Sequence, residues 1–354
     1  MTDQFRIDSH KLMYHVNRVK KWLDGELIYP IYMEVSPCGS CNHRCSFCSV
    51  DFMGYQKKMI DAGLLKKRIT ELGSLGLKSI MFAGEGEPFL HKQLSEIIVH
   101  TKKTGIDVAV TTNGVLMRPE ISEKIIASMA WVKVSLNAGQ ADTYAEIHQT
   151  QSDDFGRVLK NIEFAAKVKQ NQQSRCAIGV QLLLLPENVE EVETLAQRSK
   201  DAGADYLVVK PYTHHHKNDH HYKIEYSVYN YLEKALEKYN SDAFSVIFRA
   251  RAMKLWDKQT QPVSACVCLP FWSYIDAGGN VWGCSAHLLE ETFKYGSIKE
   301  NTFKEIWEGQ KRAKSLKWVS ENLDLSTCKL NCRMGQVNKY LNELIEPPEH
   351  VNFI

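Results

Sequence analysis

Ten cysteines stand at 38, 41, 45, 48, 176, 266, 268, 284, 328 and 332 of 354 residues. Four lie within eleven residues, five fall in the last quarter, and Cys176 stands alone. Thiolates are soft ligands that select iron–sulfur clusters or zinc, and in a reducing cytosol such a set binds metal or does redox chemistry rather than forming disulfides. Cys41-x3-Cys45-x2-Cys48 puts three thiolates on one short loop. Three cysteines hold three irons of a cubane and leave the fourth iron without a protein ligand. Cys38 extends the run to C-x2-C-x3-C-x2-C, which as a closed site would hold zinc or a ferredoxin-type cluster. The alternative is that Cys38 is a spare thiol beside the loop, or a redox group. The second set, Cys266, Cys268, Cys284, Cys328 and Cys332, surrounds PFWSYIDAGGNVWGC, which reads as two strands joined by a Gly-Gly turn. Five thiols around one hairpin are enough to close a metal site. A zinc ribbon is the competing reading, but C-x-C…C…C-x3-C departs from paired C-x2-C.

The elements that must position these loops alternate. Strand-like runs occur at Tyr29–Val35, Lys78–Ala83, Asp107–Thr112, Trp131–Leu136, Ala177–Leu185 and Asp205–Lys210. Amphipathic helical stretches separate them at Ile60–Gly73, His91–Thr104, Pro119–Met129, Asp153–Gln170 and Val189–Gly203. This rhythm predicts an α/β fold: a parallel sheet with crossover helices, closed fully or partly into a barrel, with ligands at the carboxyl ends of the strands. The domain reading is a helical lead-in at 1–28, a (β/α)6 core at 29–215, a helical connector at 216–261, a small β-hairpin and helix domain binding the second thiol set at 262–345, and a tail at 346–354.

The first cluster follows the first strand, on the side where βα loops build active sites. CxxxCxxC is the signature of the radical S-adenosylmethionine (SAM) superfamily, and the chain resembles that family at further points. The resemblance implies a [4Fe–4S] cluster on Cys41, Cys45 and Cys48, with SAM chelating the open iron through its amino and carboxylate groups. Phe47 occupies the place of the family's aromatic residue near the adenine. Gly84-Glu85-Gly86-Glu87-Pro88 resembles the GGEP motif, which receives the SAM ammonium. Thr111-Thr112-Asn113-Gly114 and Ser135-Leu136-Asn137-Ala138 resemble segments that touch the SAM ribose or carboxylate. Lying at the ends of consecutive strands, all four segments would converge. The C-terminal region resembles the SPASM/twitch extension, which binds auxiliary [4Fe–4S] clusters. Its full pattern has seven cysteines for two clusters; the five here imply one auxiliary cluster, held by Cys284, Cys328 and Cys332 with Cys266, or with Cys268 in its place. The ending PPEHVNFI is similar to the tail of a twitch-bearing subgroup linked to carbohydrate pathways.

Composition bounds the rest. Hydrophobic residues make up 44% and the net charge is +2, so a large core forms and no electrostatic reason points to nucleic acid or an anionic membrane. No apolar run reaches a membrane span and the start lacks a secretory signal, so the chain is expected in the cytoplasm. Lys210 and Tyr212, at the sixth strand's end, are the catalytic candidates, placed to orient or deprotonate a hydroxyl. His214, His215, His216, His220 and His221 follow on the same face, as substrate or proton contacts or as a plain polar loop. The resemblance implies reductive SAM cleavage to a 5′-deoxyadenosyl radical, hydrogen abstraction, and an external electron donor such as flavodoxin or ferredoxin. An auxiliary cluster favours oxidation, or a related rearrangement, of a polyol, amino sugar or nucleotide sugar. The alternatives are sugar epimerisation, with Cys38, Cys176 or the unused one of Cys266 and Cys268 returning hydrogen; maturation of a ribosomal peptide, against which stands a lead-in too short for a leader-binding domain; and a non-catalytic electron carrier.

Overall fold

A computed structural model describes residues 5–218, 222–259 and 263–353. His220 and His221 lie outside the described residues. Helix α1 (Val16–Leu23) leads into β1 (Tyr32–Val35). Then follow α2 (Ala62–Ser74), β2 (Ser79–Phe82), α3 (Leu94–Lys103), β3 (Asp107–Thr112), α4 (Pro119–Ile125) and β4 (Trp131–Ser135). Next come α5 (Ala141–His148), α6 (Asp153–Asn171), β5 (Ala177–Leu184), α7 (Val192–Asp201) and β6 (Tyr206–Pro211). These strands pair in parallel in sequence order, giving the predicted α/β partial barrel.

The stretch read as a helical connector holds α8 (Tyr231–Ala235) and α9 (Ala250–Lys258), but between them lies a strand, β7 (Ser245–Phe248), which extends the sheet parallel to β6. Four residues, SVIF, are too short to show a period among helical neighbours. The hairpin forms as read, from β8 (Trp272–Ile275) and β9 (Asn280–Trp282), and β10 (Lys294–Ser297) pairs with β9. It does not stand apart from the core: β8 runs parallel along β1, so one ten-stranded sheet carries both thiol sets. Helices α10 (Phe303–Glu308), α11 (Gln310–Asn322) and α12 (Gly335–Ile345) complete the chain. No helix among the described residues is long and apolar enough to cross a membrane.

Alternation along each strand divides the side chains between two faces. Met33, Val35, Ile80, Phe82, Val108, Val110, Val132 and Val134 pack outward against the helices in the main core. The inner face differs. Tyr206, Val208, Ile247 and Ala177 join Phe5 and Ile7 in an apolar floor. A Cβ on Gly179 would meet the Tyr206 ring at 2.1 Å, so that ring lies flush on the β5 backbone. Farther along the strands the lumen turns polar, with Glu34, Thr111, Lys133, Ser135, Gln181 and Lys210 at the inward register positions.

Candidate active site

Cys41, Cys45 and Cys48 are half-buried on the loop after β1. Backbone bonds fix that loop on three sides: Ser46 N to Ile147 O at 2.9 Å, Gly39 N to Lys58 O at 2.9 Å, and Glu87 N to Ser40 O at 2.9 Å. Burial pushes the Cys41 thiol up to about 11 and lifts Cys45 and Cys48, and the charges of neighbouring thiols lift Cys41 and Cys45 further. Three clustered thiols that resist ionisation need the positive charge of a metal to become thiolates. The set therefore fits a three-cysteine iron–sulfur site. Cys38 stands apart, its Sγ accepting from Ser40 N at 3.3 Å.

Sequence reasoning missed two neighbours of this loop. Tyr55 donates to Cys48. His148 ends α5, a helix not read in the sequence, and its Nδ1 lies 3.3 Å from Cys45 Sγ. Its Nε2 faces the Leu136 carbonyl at 3.0 Å, so Nε2 carries the proton and Nδ1 is the acceptor. Burial holds this imidazole neutral, its pKa lowered to about 3. Phe47 packs edge-on to the same ring at 5.3 Å.

The Gly84–Pro88 segment sits directly behind the cysteine loop. A Cβ on Gly86 would meet Ser40 O at 2.1 Å and Cys38 O at 2.6 Å, and Gly84 has φ +124° against Ser36 and Tyr274. Both glycines let this turn pack on the cysteine loop. Glu87 is buried and accepts from Thr112 Oγ1 at 2.6 Å, Asn113 N at 2.8 Å and Phe89 N at 3.1 Å, with Pro88 opening the short turn behind it. Glu85 accepts from Ala277 N at 2.9 Å, which ties the motif to the β8–β9 turn; burial raises its pKa to about 7. Asn113 donates to Asn42 of the cysteine loop at 2.8 Å. Asn137, at φ +55°, donates to Ser135 Oγ at 3.0 Å and accepts from Leu183 N at 2.8 Å. The four segments thus meet around the first thiol set, through bonds that the motifs make largely with one another.

Lys210 and Tyr212 part company. Lys210 faces the lumen; burial, then the charges of Lys133, Arg249, Arg333 and Lys329, lowers its pKa well below the usual amine value. Tyr212 follows the strand's last residue, where the alternation no longer holds, and is wholly buried against Tyr222 (5.0 Å) and Trp256 (5.7 Å), with its hydroxyl within electrostatic reach of Cys48 and Asp51.

The second thiol set also converges. Cys266, Cys328 and Cys332 lie within electrostatic reach of Cys284, and the Cys268 thiol donates a hydrogen bond to the Cys266 sulfur. Asn338 on α12 organises the C-x-C turn: its Oδ1 accepts from Val267 N and Cys268 N, both at 2.9 Å, and its Nδ2 approaches Cys266 Sγ at 3.7 Å. Asp276 clamps the hairpin turn, accepting from Gly278 N (2.8 Å), Asn280 N (2.9 Å) and Trp282 Nε1 (2.8 Å). His287, unremarked in the sequence, stacks on Phe293 and points Nε2 at Cys328 Sγ, 3.7 Å away.

The described part of the His-rich loop is a strap between the two centres. Asn218 donates to Cys48 O at 2.6 Å and His215 stacks on Phe52 at 4.3 Å. Lys217 reaches Leu288 O at 2.6 Å and Glu290 at 3.0 Å.

Residues 35–198 match the Radical SAM superfamily, and residues 266–333 match an iron–sulfur cluster-binding domain, SPASM. The chain is 32% identical over 134 residues to a GTP 3′,8-cyclase of Chlorobaculum tepidum, a segment covering 37% of this chain and 40% of that one. It is 23% identical over 196 residues to a tungsten-containing aldehyde ferredoxin oxidoreductase cofactor-modifying protein of Pyrococcus furiosus, covering 53% and 54%. The matches thus span about two fifths to one half of the length of these curated relatives. In fold it is similar to SuiB of Streptococcus suis bound to S-adenosylmethionine (TM-score 0.67, 14% identity, 95% of this chain and 79% of that one). It is also similar to anSMEcpe with bound AdoMet (TM-score 0.56, 16% identity, 84% of each chain).

Proposed function

Because the chain belongs to the radical SAM superfamily and carries a C-terminal SPASM iron–sulfur domain, we propose that it oxidises a small, polar, carbohydrate-like molecule held in the barrel lumen. Cys41, Cys45 and Cys48 would hold the SAM-binding [4Fe–4S] cluster. Cys284, Cys328 and Cys332, with Cys266 or Cys268, would hold one auxiliary cluster. When bound, these groups supply a 5′-deoxyadenosyl radical and an acceptor for the second electron.

One observation carries the reading. The loop bearing Cys328 and Cys332 also delivers Lys329 and Arg333 to the barrel mouth, where Lys329 lies within electrostatic reach of Cys284 and Cys332 and Lys210 within reach of Lys329. Lys329 also lies within electrostatic reach of Cys48, so both thiol sets neighbour the polar end of the lumen. Ser135, Gln181 and Thr111 share the inner face with Lys210; their groups suit hydroxyls, and Lys210 would orient a substrate oxygen. The Chlorobaculum relative is named for a small nucleotide substrate, GTP, which supports a small molecule over a peptide. Epimerisation by Cys38 or Cys176 is disfavoured: the first thiol is tied to Ser40, and the second lies in the helix-side core beside the N-terminal end of β5. An electron donor of flavodoxin or ferredoxin type completes the proposal.

The test is anaerobic reconstitution with iron and sulfide, an iron count, and product analysis with SAM and dithionite. About eight irons per chain, falling to about four in a Cys41/Cys45/Cys48→Ala variant that makes no deoxyadenosine, is the expected result. A polyol or sugar substrate should lose two hydrogens per deoxyadenosine formed. Zinc in place of iron, or an unchanged oxidation state of every turned-over substrate, would overturn the proposal.

A further inference from the structure

The polar part of the lumen is strongly cationic. Strand alternation brings Lys133 of β4 and Lys210 of β6 to the inner face, and Arg249 follows β7. The auxiliary loop adds Lys329 and Arg333 from the mouth. Lys210 lies within electrostatic reach of the other four, and Lys133 within reach of Arg249, Arg333 and Glu34. Glu34 is paired with Arg333, and Asp8 with Arg249 at 2.9 Å. Among the described residues, neither Lys133 nor Lys210 has a carboxylate within ion-pair distance. The Lys133 ammonium rests over the Trp131 ring, 5.4 Å from its centroid.

Clustering like charges in a partly desolvated space is unfavourable unless something offsets it. These side chains have protein around them yet keep accessible surface: Lys133 and Lys210 are half-buried, and the Arg333 side chain is 43% exposed. They therefore border accessible space rather than a packed core. Below them the Phe5, Ile7 and Tyr206 floor closes the space, so an occupant enters from the mouth that the cysteine loops surround.

We infer that Lys133 and Lys210, framed by Arg249 and Arg333, form a subsite for a phosphate or diphosphate group of the substrate. This rests on the proposed function and narrows its substrate to a phosphorylated sugar or a nucleotide sugar. Charge matching selects the ligand: the mutual repulsion of Lys133, Lys210 and their cationic neighbours is relieved by an incoming dianion, and a phosphate monoester carries between one and a half and two negative charges near neutral pH. The lysines serve as point charges for phosphate, and the guanidiniums stay engaged by Glu34 and Asp8, which hold them in place.

The test uses the reconstituted holoenzyme and inorganic pyrophosphate, with binding followed by calorimetry at two salt concentrations. Wild type should bind it, and Lys133→Met and Lys210→Met should each weaken binding by about tenfold or more. Lys210→Arg should recover part of the loss, and the exposed Lys167→Met should leave binding unchanged. Iron content and circular dichroism confirm that each variant is folded. Absence of pyrophosphate binding, equal binding in the Lys133/Lys210 double variant, or tighter binding of malonate than of pyrophosphate at these lysines would each overturn the subsite. Deoxyadenosine formed by wild type without substrate separates the two levels: if it forms while pyrophosphate fails to bind, only the subsite is lost; if it does not form, the radical reading itself fails.

Discussion

Gly86→Ala should separate packing of the cysteine loop from every other role of the Gly84–Pro88 turn. The added Cβ would sit 2.1 Å from Ser40 O and 2.6 Å from Cys38 O, both backbone atoms. Reaching even 3.0 Å, the shortest approach that real Cβ atoms show, requires a shift of about 1 Å. The bond from Glu87 N to Ser40 O at 2.9 Å lies in the same contact and would not survive that shift intact. Overpacking of this kind costs about 1–3 kcal/mol, and a lost buried hydrogen bond about 1 kcal/mol more. The expected loss is therefore about 2–4 kcal/mol in urea unfolding. Gly86 does not use a positive φ, so the effect is steric alone. The paired control is Gly156→Ala within α6, where nothing lies within 4 Å of the new Cβ; there the helix gains about 0.5–1 kcal/mol. After reconstitution, Gly86→Ala should lose iron from the Cys41/Cys45/Cys48 site and keep iron on the auxiliary set. Full iron and unchanged stability in Gly86→Ala would refute the claim that this glycine exists to seat the cysteine loop.

Three further outcomes follow from the same geometry. Glu85 is an acid whose folded-state pKa is raised by burial from 4.5 to about 7, so the folded state holds its proton more tightly and stability falls as pH rises through that window. Glu85→Gln keeps an acceptor for Ala277 N and should flatten this slope, with a gain of about 3 kcal/mol above pH 7 and none below 4.5, read by urea unfolding of the cluster-free protein across pH. Asn338→Ala strips the acceptor from Val267 N and Cys268 N, at about 1–3 kcal/mol, and should lower auxiliary iron while leaving deoxyadenosine formation from SAM alone intact. Asp276→Ala leaves Gly278 N, Asn280 N and the Trp282 indole without their acceptor, so the hairpin should open to proteolysis before the barrel does; simultaneous cleavage of both would count against a turn held by this carboxylate.

Much of this was legible from residue order alone. Thiol spacing identified the metal chemistry, because a three-residue step followed by a two-residue step is set by what a short loop can present to one cluster. The βα rhythm fixed the sheet, since strands such as Asp107–Thr112 and helices such as α12 carry their hydrophobic period within themselves. Elements whose period is short or masked were not readable: β7, four residues between helices, and α5, which brings His148 to Cys45. Tyr212 shows the same limit, since its burial depends on where the chain turns after Pro211 rather than on its neighbours in sequence. The pairing of β8 with β1 is likewise a long-range event, and it joins Cys284 and its partners to the barrel that holds Cys41. The cationic lumen is the clearest case. Lys133, Lys210, Arg249, Lys329 and Arg333 are scattered over 201 positions of sequence (133 to 333). Each alone looks like an ordinary surface charge; strand alternation turns Lys133 and Lys210 inward, and the ends of β7 and the auxiliary loop bring Arg249, Lys329 and Arg333 to them.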